Sequence, residues 1–242
     1  MTLFKAAMFA VLAFASFATH AAGKDEEALK KIIEPRLGED AKVVSVTRTP
    51  YAGLYEVQTE NNDILYTDRQ GRYLFVGRVL DTTTYQDYTR ARVEAISKVK
   101  FADLPFESAL KMVKGNGKRV IAIFEDPNCG YCKRFRQTTL NEIDNITVYT
   151  FLYNILSDDS GVKSKNVWCS ADRQKAWDDW MLNGKAPAAA PDNCLSTPNE
   201  KIYALGRKLK VSGTPTIFLG DGSRITGAVD TKTLEARLAQ IK

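Results

Sequence analysis

The sequence predicts a two-part chain, α+β followed by α/β. A small N-terminal domain covers residues 22–80, a linker helix 81–100, and a larger domain with a helical insertion 101–242, all behind a leader over 1–21. Three observations carry this. Short β-like runs separated by turn clusters fill the first part. A largely charged segment with a narrow apolar face follows at 81–100. From Phe101 the texture changes to near-continuous apolar runs alternating with helical patterns, the sign of strands buried on both faces.

In chain order, Lys5 followed by the apolar run Ala6 to Phe17 and then small residues reads as an export signal cleaved after Ala21 or Ala22, too short to span a bilayer as an anchor. A helix over Lys24 to Glu34 follows, with Ala28, Leu29, Ile32 and Ile33 on one face and Pro35 closing it. Strands are expected at Val43 to Val46, Leu54 to Thr59, Ile64 to Thr67 and Tyr73 to Val79. A unit of this size is small for a self-sufficient core and suits one half of a dimer; packing on its own second domain is the alternative.

In the second part, Arg119 to Phe124 reads as a buried strand, followed by a helix to Ile143 and a strand over Ile146 to Tyr153. Residues 160–208 read as helical. There Trp177, Trp180 and Met181 share one face as core residues, and Ala186 to Pro191 forms a loop. Thr216 to Leu219 and Arg224 to Thr226 flank a Gly-Asp-Gly-Ser hairpin turn, and Asp230 caps a last helix carrying Leu234, Leu238 and Ile241.

Composition narrows the chemistry. The single histidine, His20, lies in the leader, so the mature chain has none. Cys–His and Ser–His–Asp catalysis and histidine-bearing zinc sites are excluded on that ground. No metal and no cofactor is expected. Without the leader, 33 basic side chains stand against 29 acidic ones with mixed signs, which calls for no nucleic acid and no membrane surface.

The four cysteines carry the rest. Cys129-Gly130-Tyr131-Cys132 stands between a strand and a helix, so its first sulfur sits at a helix N-terminus, where thiolate is stabilised. In this reading Cys129 attacks a substrate disulfide, and Cys132, one turn inward, attacks Cys129 to release a stalled adduct. Zinc lacks a second ligand pair, and covalent haem would need histidine where Lys133 stands. A purely structural disulfide is the remaining alternative, weakened by the short loop it would close.

Cys169 and Cys194 suit that structural role better. Closing their loop would stabilise the fold by roughly 3.5 kcal/mol in the chain-entropy model; a second redox centre is the rival reading. Further on, Gly213-Thr214-Pro215 opens a strand. Were the Thr214–Pro215 bond cis, the preceding backbone would face the cysteines and pair with an extended substrate.

Phe124 to Cys132, Gly213 to Pro215 and the later cysteines resemble the periplasmic disulfide isomerases of the DsbC/DsbG family, over essentially the whole mature chain. The resemblance implies a thioredoxin-like C-terminal domain and a homodimer formed through residues of about 24 to 80, with an apolar cleft holding misfolded exported proteins that carry wrong disulfides. It implies that Pro215 is cis and that a membrane electron donor keeps Cys129 and Cys132 reduced. Gly130, where the DsbG branch has proline, favours the isomerase branch. One departure concerns the buried acid that thioredoxin places six residues before its first cysteine: Ile123 stands there, leaving Glu125 or water to handle the Cys132 proton. The expected function is disulfide isomerisation in the periplasm. A reductase of single oxidised cysteines and a holdase chaperone are rivals, and a dedicated oxidase is disfavoured by the dimerising domain.

Overall fold

A computed structural model describes residues 17–38 and 41–241, and the chain divides into two compact units with the boundary between Ile96 and Ser97. Of the expected leader, residues 1–16 lie outside the described residues, and 17–21 are helical.

The first unit opens with α1 (Phe17–Ile33), which begins earlier than the periodicity suggested and gives way to a single 3-10 turn, Glu34–Arg36. Pro35 lacks the N–H that another α-helical turn would need. Four strands follow as an antiparallel sheet in the order β1-β2-β3-β4: β1 (Val43–Arg48), β2 (Tyr55–Thr59), β3 (Ile64–Thr67) and β4 (Leu74–Phe75). Alternation along β2 buries Tyr55 and Val57, and these pack with Val43, Val46 and the α1 residues Leu29 and Ile33 in one core.

The linker helix is shorter than predicted. Only α2 (Tyr88–Ile96) is helical within 81–100. Asp81 Oδ1 accepts from the Thr83 and Thr84 amides, and Asp87 Oδ1 accepts from the Arg90 amide. Two aspartates thus offer the backbone local turns and a late cap in place of a helix. The segment after α2 departs from the helix for another reason. The Val99 amide donates to Gly222 O (3.0 Å), and Lys98 pairs with Asp221 (2.6 Å), so 97–99 is laid against the hairpin turn. Only glycine fits at 222: its φ is +81°, and a Cβ there would lie 1.9 Å from the Val99 carbonyl oxygen.

The second unit is a five-stranded sheet in the order β5-β7-β6-β8-β9, formed by β5 (Leu110–Lys114), β6 (Arg119–Glu125), β7 (Ile146–Leu152), β8 (Thr216–Leu219) and β9 (Arg224–Thr226). β6 and β7 pair in parallel; the other pairs are antiparallel. The central strand β6 is covered on both sides. Ile121 and Ile123 face a core with Phe135, Leu140, Leu234 and Leu238, while Ala122 and Phe124 face another with Phe151, Ile202 and Phe218. That double burial is why β6 reads as an unbroken apolar run.

After the cysteine pair the helix is not uniform. It comprises α3 (Gly130–Phe135) and a π-helical turn, Arg136–Leu140, which carries Arg136 into the interior. The insertion holds α4 (Asp158–Trp168), α5 (Arg173–Asn183) and α6 (Asn199–Lys208). A disulfide joins Cys169, at the end of α4, to Cys194 in the loop before α6. α7 (Thr231–Leu238) ends the fold, with Asp230 accepting from the Thr233 amide (2.7 Å) as its cap.

Candidate active site

β6 delivers its C-terminal end, Glu125-Asp126-Pro127-Asn128, directly to Cys129, the N-cap of α3. Cys129 and Cys132 are both reduced and both buried. The Cys132 amide donates to Cys129 Sγ at 3.1 Å, so the sulfur occupies the place of a capping oxygen and meets the positive end of the helix. Thr214–Pro215 is cis, and the Thr214 carbonyl lies 3.3 Å from Cys129 Sγ. The sequence-predicted group is therefore assembled: Cys129, Cys132, Thr214 and Pro215 converge, and Gly213 stands one residue back with its carbonyl taken by the Thr216 hydroxyl (2.7 Å).

The two sulfurs are driven apart in acidity. Hydrogen bonding from Cys132 and Thr214 outweighs burial and lowers the Cys129 thiol from its ordinary 9.0 to about 6. Burial, reinforced by Cys129 and by the Glu125 charge, pushes the Cys132 thiol far up. One sulfur is an anion at neutral pH and the other keeps its proton, which is the division of labour between an attacking and a resolving thiol. Alkylation of Cys129 by iodoacetamide should therefore titrate with a midpoint near pH 6, about nine-tenths complete in thiolate at pH 7, while Cys132 stays unreactive; a midpoint at the ordinary thiol value would refute the assignment. Because the folded value is depressed, ionisation of Cys129 stabilises the reduced fold above the ordinary thiol range, and this contribution is lost as pH falls through about 6.

Two groups that the sequence did not announce fix the loop around the pair. Asp126 is fully buried and accepts four hydrogen bonds: from the Ile155 and Leu156 amides (2.9 and 3.0 Å), the Asn128 amide (2.8 Å) and the Ser160 hydroxyl (2.8 Å). It ties the approach to Cys129 to the start of α4. Asp126→Asn puts an amide N–H among donors and should cost roughly 3 kcal/mol, read as a lower urea midpoint; an unchanged midpoint would show that the network is dispensable. The other group is Trp180. Expected as core beside the buried Trp177 and Met181, it packs partly buried against their cluster and also reaches the active-site loop, where its indole N–H donates to the Pro127 carbonyl (2.6 Å) and Lys133 Nζ lies 3.9 Å from its ring centroid.

Beneath the pair, Glu125 is wholly buried, with Arg136 Nε donating to its Oε2 (2.8 Å) and Nη2 forming an ion pair with the same oxygen (2.7 Å). Arg136 thus points inward. Tyr131, between the cysteines, is 70% exposed, and Leu156 is also exposed, so the reactive pair is rimmed by apolar surface.

Among the described residues no group of three or more acidic, cysteine or histidine side chains is placed to hold a metal ion, and no helix is long and apolar enough to cross a membrane.

Comparison with known proteins agrees with this geometry. Residues 106–242 match the thioredoxin-like domain family, and residues 20–90 match the disulfide bond isomerase protein N-terminal domain. The chain is 50% identical over 200 residues to the probable thiol:disulfide interchange protein DsbC of Bordetella parapertussis, covering 83% of this chain and 70% of that one. It is 31% identical over 199 residues to the thiol:disulfide interchange protein DsbC of Escherichia coli strain K12, covering 80% of each. Among solved structures it resembles a disulfide interchange protein from Neisseria gonorrhoeae, with a TM-score of 0.53 and 34% identity over 57% of this chain and 97% of that one. Two matched domains in this order, with a reduced Cys-x-x-Cys pair set against a cis-proline, place the chain in the DsbC family of thiol:disulfide interchange proteins.

Proposed function

We propose that the protein is a periplasmic disulfide isomerase acting through Cys129, with Cys132 as the resolving thiol. The observation that carries this reading is the opposed acidity of two buried sulfurs at the start of α3 beside a cis Thr214–Pro215 bond. The Cys129 thiolate attacks one sulfur of a wrong disulfide; a Cys129–substrate bond forms as the substrate S–S bond breaks, and the electron pair leaves on the other substrate sulfur. That freed thiolate, or another in the substrate, attacks a new partner until Cys129 is expelled, with no net change of oxidation state. A stalled adduct is released when Cys132 attacks Cys129, leaving a Cys129–Cys132 disulfide for a membrane electron donor to reduce.

Substrate is held as an extended segment against Gly213, Thr214 and Pro215, flanked by Tyr131 and Leu156. The N-terminal unit joins two copies, supported by the edge strand β4 and its exposed Tyr73, Leu74, Phe75 and Val76. Such a dimer would give the apolar cleft that a chaperone-like grip on unfolded proteins requires. The expected leader and the disulfide between Cys169 and Cys194 support an exported protein in an oxidising compartment.

The test is refolding of a scrambled multi-disulfide protein by the purified mature chain in glutathione buffer. Recovery that disappears with Cys129→Ser supports isomerisation; reduction of the substrate without recovery assigns the chain to reductases.

A further inference from the structure

We propose that Glu125 is the acceptor of the Cys132 thiol proton in the step that releases substrate, and that Arg136 is a positioning residue that keeps one carboxylate oxygen free for it. The proposal rests on the reading of Cys129 and Cys132 as the active pair.

The geometry is asymmetric. Arg136 directs both Nε and Nη2 at the same oxygen, Oε2, and its remaining donors go to Thr150 Oγ1 (2.7 Å) and Asp178 Oδ1 (3.3 Å). Glu125 Oε1 is buried and has no hydrogen-bond partner among the described residues. Bidentate pairing of a guanidinium with a carboxylate ordinarily uses both oxygens, so a doubly engaged Oε2 beside an empty Oε1 is unusual. A buried acceptor without a partner loses several kcal/mol of solvation that a purely structural ion pair would recover. Trp177 packs with Cys132 and Leu152 in one cluster, and its indole nitrogen, also buried and outside hydrogen-bonding geometry, favours the charged carboxylate from close by.

The surroundings suit a proton acceptor. The charge of Glu125 bears on both Cys129 and Cys132. Burial raises its own pKa above the ordinary carboxylate range, with Arg136 opposing and Asp178 reinforcing. A carboxylate made more basic in this way accepts a thiol proton more readily than an exposed glutamate. Cys132, whose thiol is held protonated by burial, attacks slowly unless that proton has somewhere to go.

The step balances as follows. The Cys132 S–H proton passes to Glu125 Oε1 as Cys132 Sγ bonds to Cys129 Sγ. The Cys129–substrate S–S bond breaks, and its electron pair leaves on the substrate sulfur as thiolate. In this step the Cys132 sulfur is oxidised from thiol to disulfide, the Cys129 sulfur stays at the disulfide level, and the substrate sulfur is reduced to thiolate.

Reaction of the reduced mature chain with a chromogenic aromatic disulfide in stopped flow separates the two events. A first burst of released thiolate reports attack by Cys129, and a second reports attack by Cys132 on the adduct. Glu125→Gln should leave the first phase within about threefold and slow the second about 100-fold. In the native chain the second phase should rise as the carboxylate ionises and then level off; in the variant it should climb tenfold per pH unit, following hydroxide. Should Glu125→Gln fail to fold, Glu125→Leu combined with Arg136→Met removes the acceptor without leaving a lone buried charge and should slow the second phase alike. A folded variant with the native second phase and profile would overturn the proposal, as would a native second phase that climbs tenfold per pH unit throughout. Loss of the first phase in the native chain would instead overturn the reading of Cys129 on which it rests.

Discussion

Replacing Cys129 by serine is expected to reduce isomerisation of a scrambled substrate to the background rate of the glutathione buffer. A serine hydroxyl is not ionised at neutral pH, whereas the native sulfur, lowered to about 6 by hydrogen bonding from the Cys132 side chain, then Thr214 and the Cys132 amide, is an anion over most of the neutral range. No other described sulfur can substitute, because Cys132 is wholly buried and Cys169 and Cys194 are bonded to each other. Cys132→Ser should differ in kind. Attack by Cys129 survives, so mixed disulfides form at the native rate. Substrates that rearrange unaided are released, and the rest accumulate as adducts resolved on a non-reducing gel. Equal loss in the two variants, with no adduct in either, would contradict the assigned roles.

The second large effect is on stability. Arg136→Met should lower stability by about 3–5 kcal/mol, because it leaves the buried Glu125 carboxylate without its one ion-pair partner among the described residues and Asp178 without one of its contacts. Denaturant unfolding measures this as a fall in midpoint at unchanged slope. Adding Glu125→Leu removes the stranded charge and should restore most of the loss, since two apolar side chains of similar volume replace a buried pair at little net cost. Losses that simply add in the double variant would show that the two residues do not act as a unit. The pH dependence gives a second readout. With Arg136 gone, burial and the Asp178 charge raise the carboxyl further, so Arg136→Met should recover stability as acid protonates Glu125, with the same sign as in the native chain and a larger amplitude.

Much of this architecture was legible in the residues, and the part that was not has a common cause. β3 and the β8–β9 hairpin fall where alternation and the Gly-Asp-Gly-Ser turn put them, and Asp230 caps α7 as its position before Thr231 implied. The cysteine pair and the Gly213 to Pro215 turn were readable because their chemistry is local to a few residues. β5 was missed: Leu-Lys-Met-Val-Lys is an edge strand with two lysines, a pattern that a solvated loop shares. The linker helix was overdrawn because Asp81 and Asp87 bond their own backbone, a preference invisible to a count of apolar spacing.

The site's deeper layer was hidden for a different reason. In the sequence Glu125 stands out only as a replacement for the missing acid, and nothing marks Arg136 as its partner. Their pairing spans eleven residues and depends on the π-helical turn that swings Arg136 inward. Asp126 likewise reads as a turn residue before proline until Ile155, Leu156 and Ser160 are brought to it by the strand crossing from β7 into α4. Contacts set by tertiary crossing leave no periodic trace.

The assignment of Cys129 as the attacking sulfur is tested most directly by trapping. The Cys132→Ser chain is mixed with a scrambled multi-disulfide protein, quenched in acid, digested and mapped by mass. Substrate peptide bonded to Cys129, with the Cys169–Cys194 disulfide intact, is the predicted result; an adduct on Cys169 or Cys194, or no adduct at all, would contradict it.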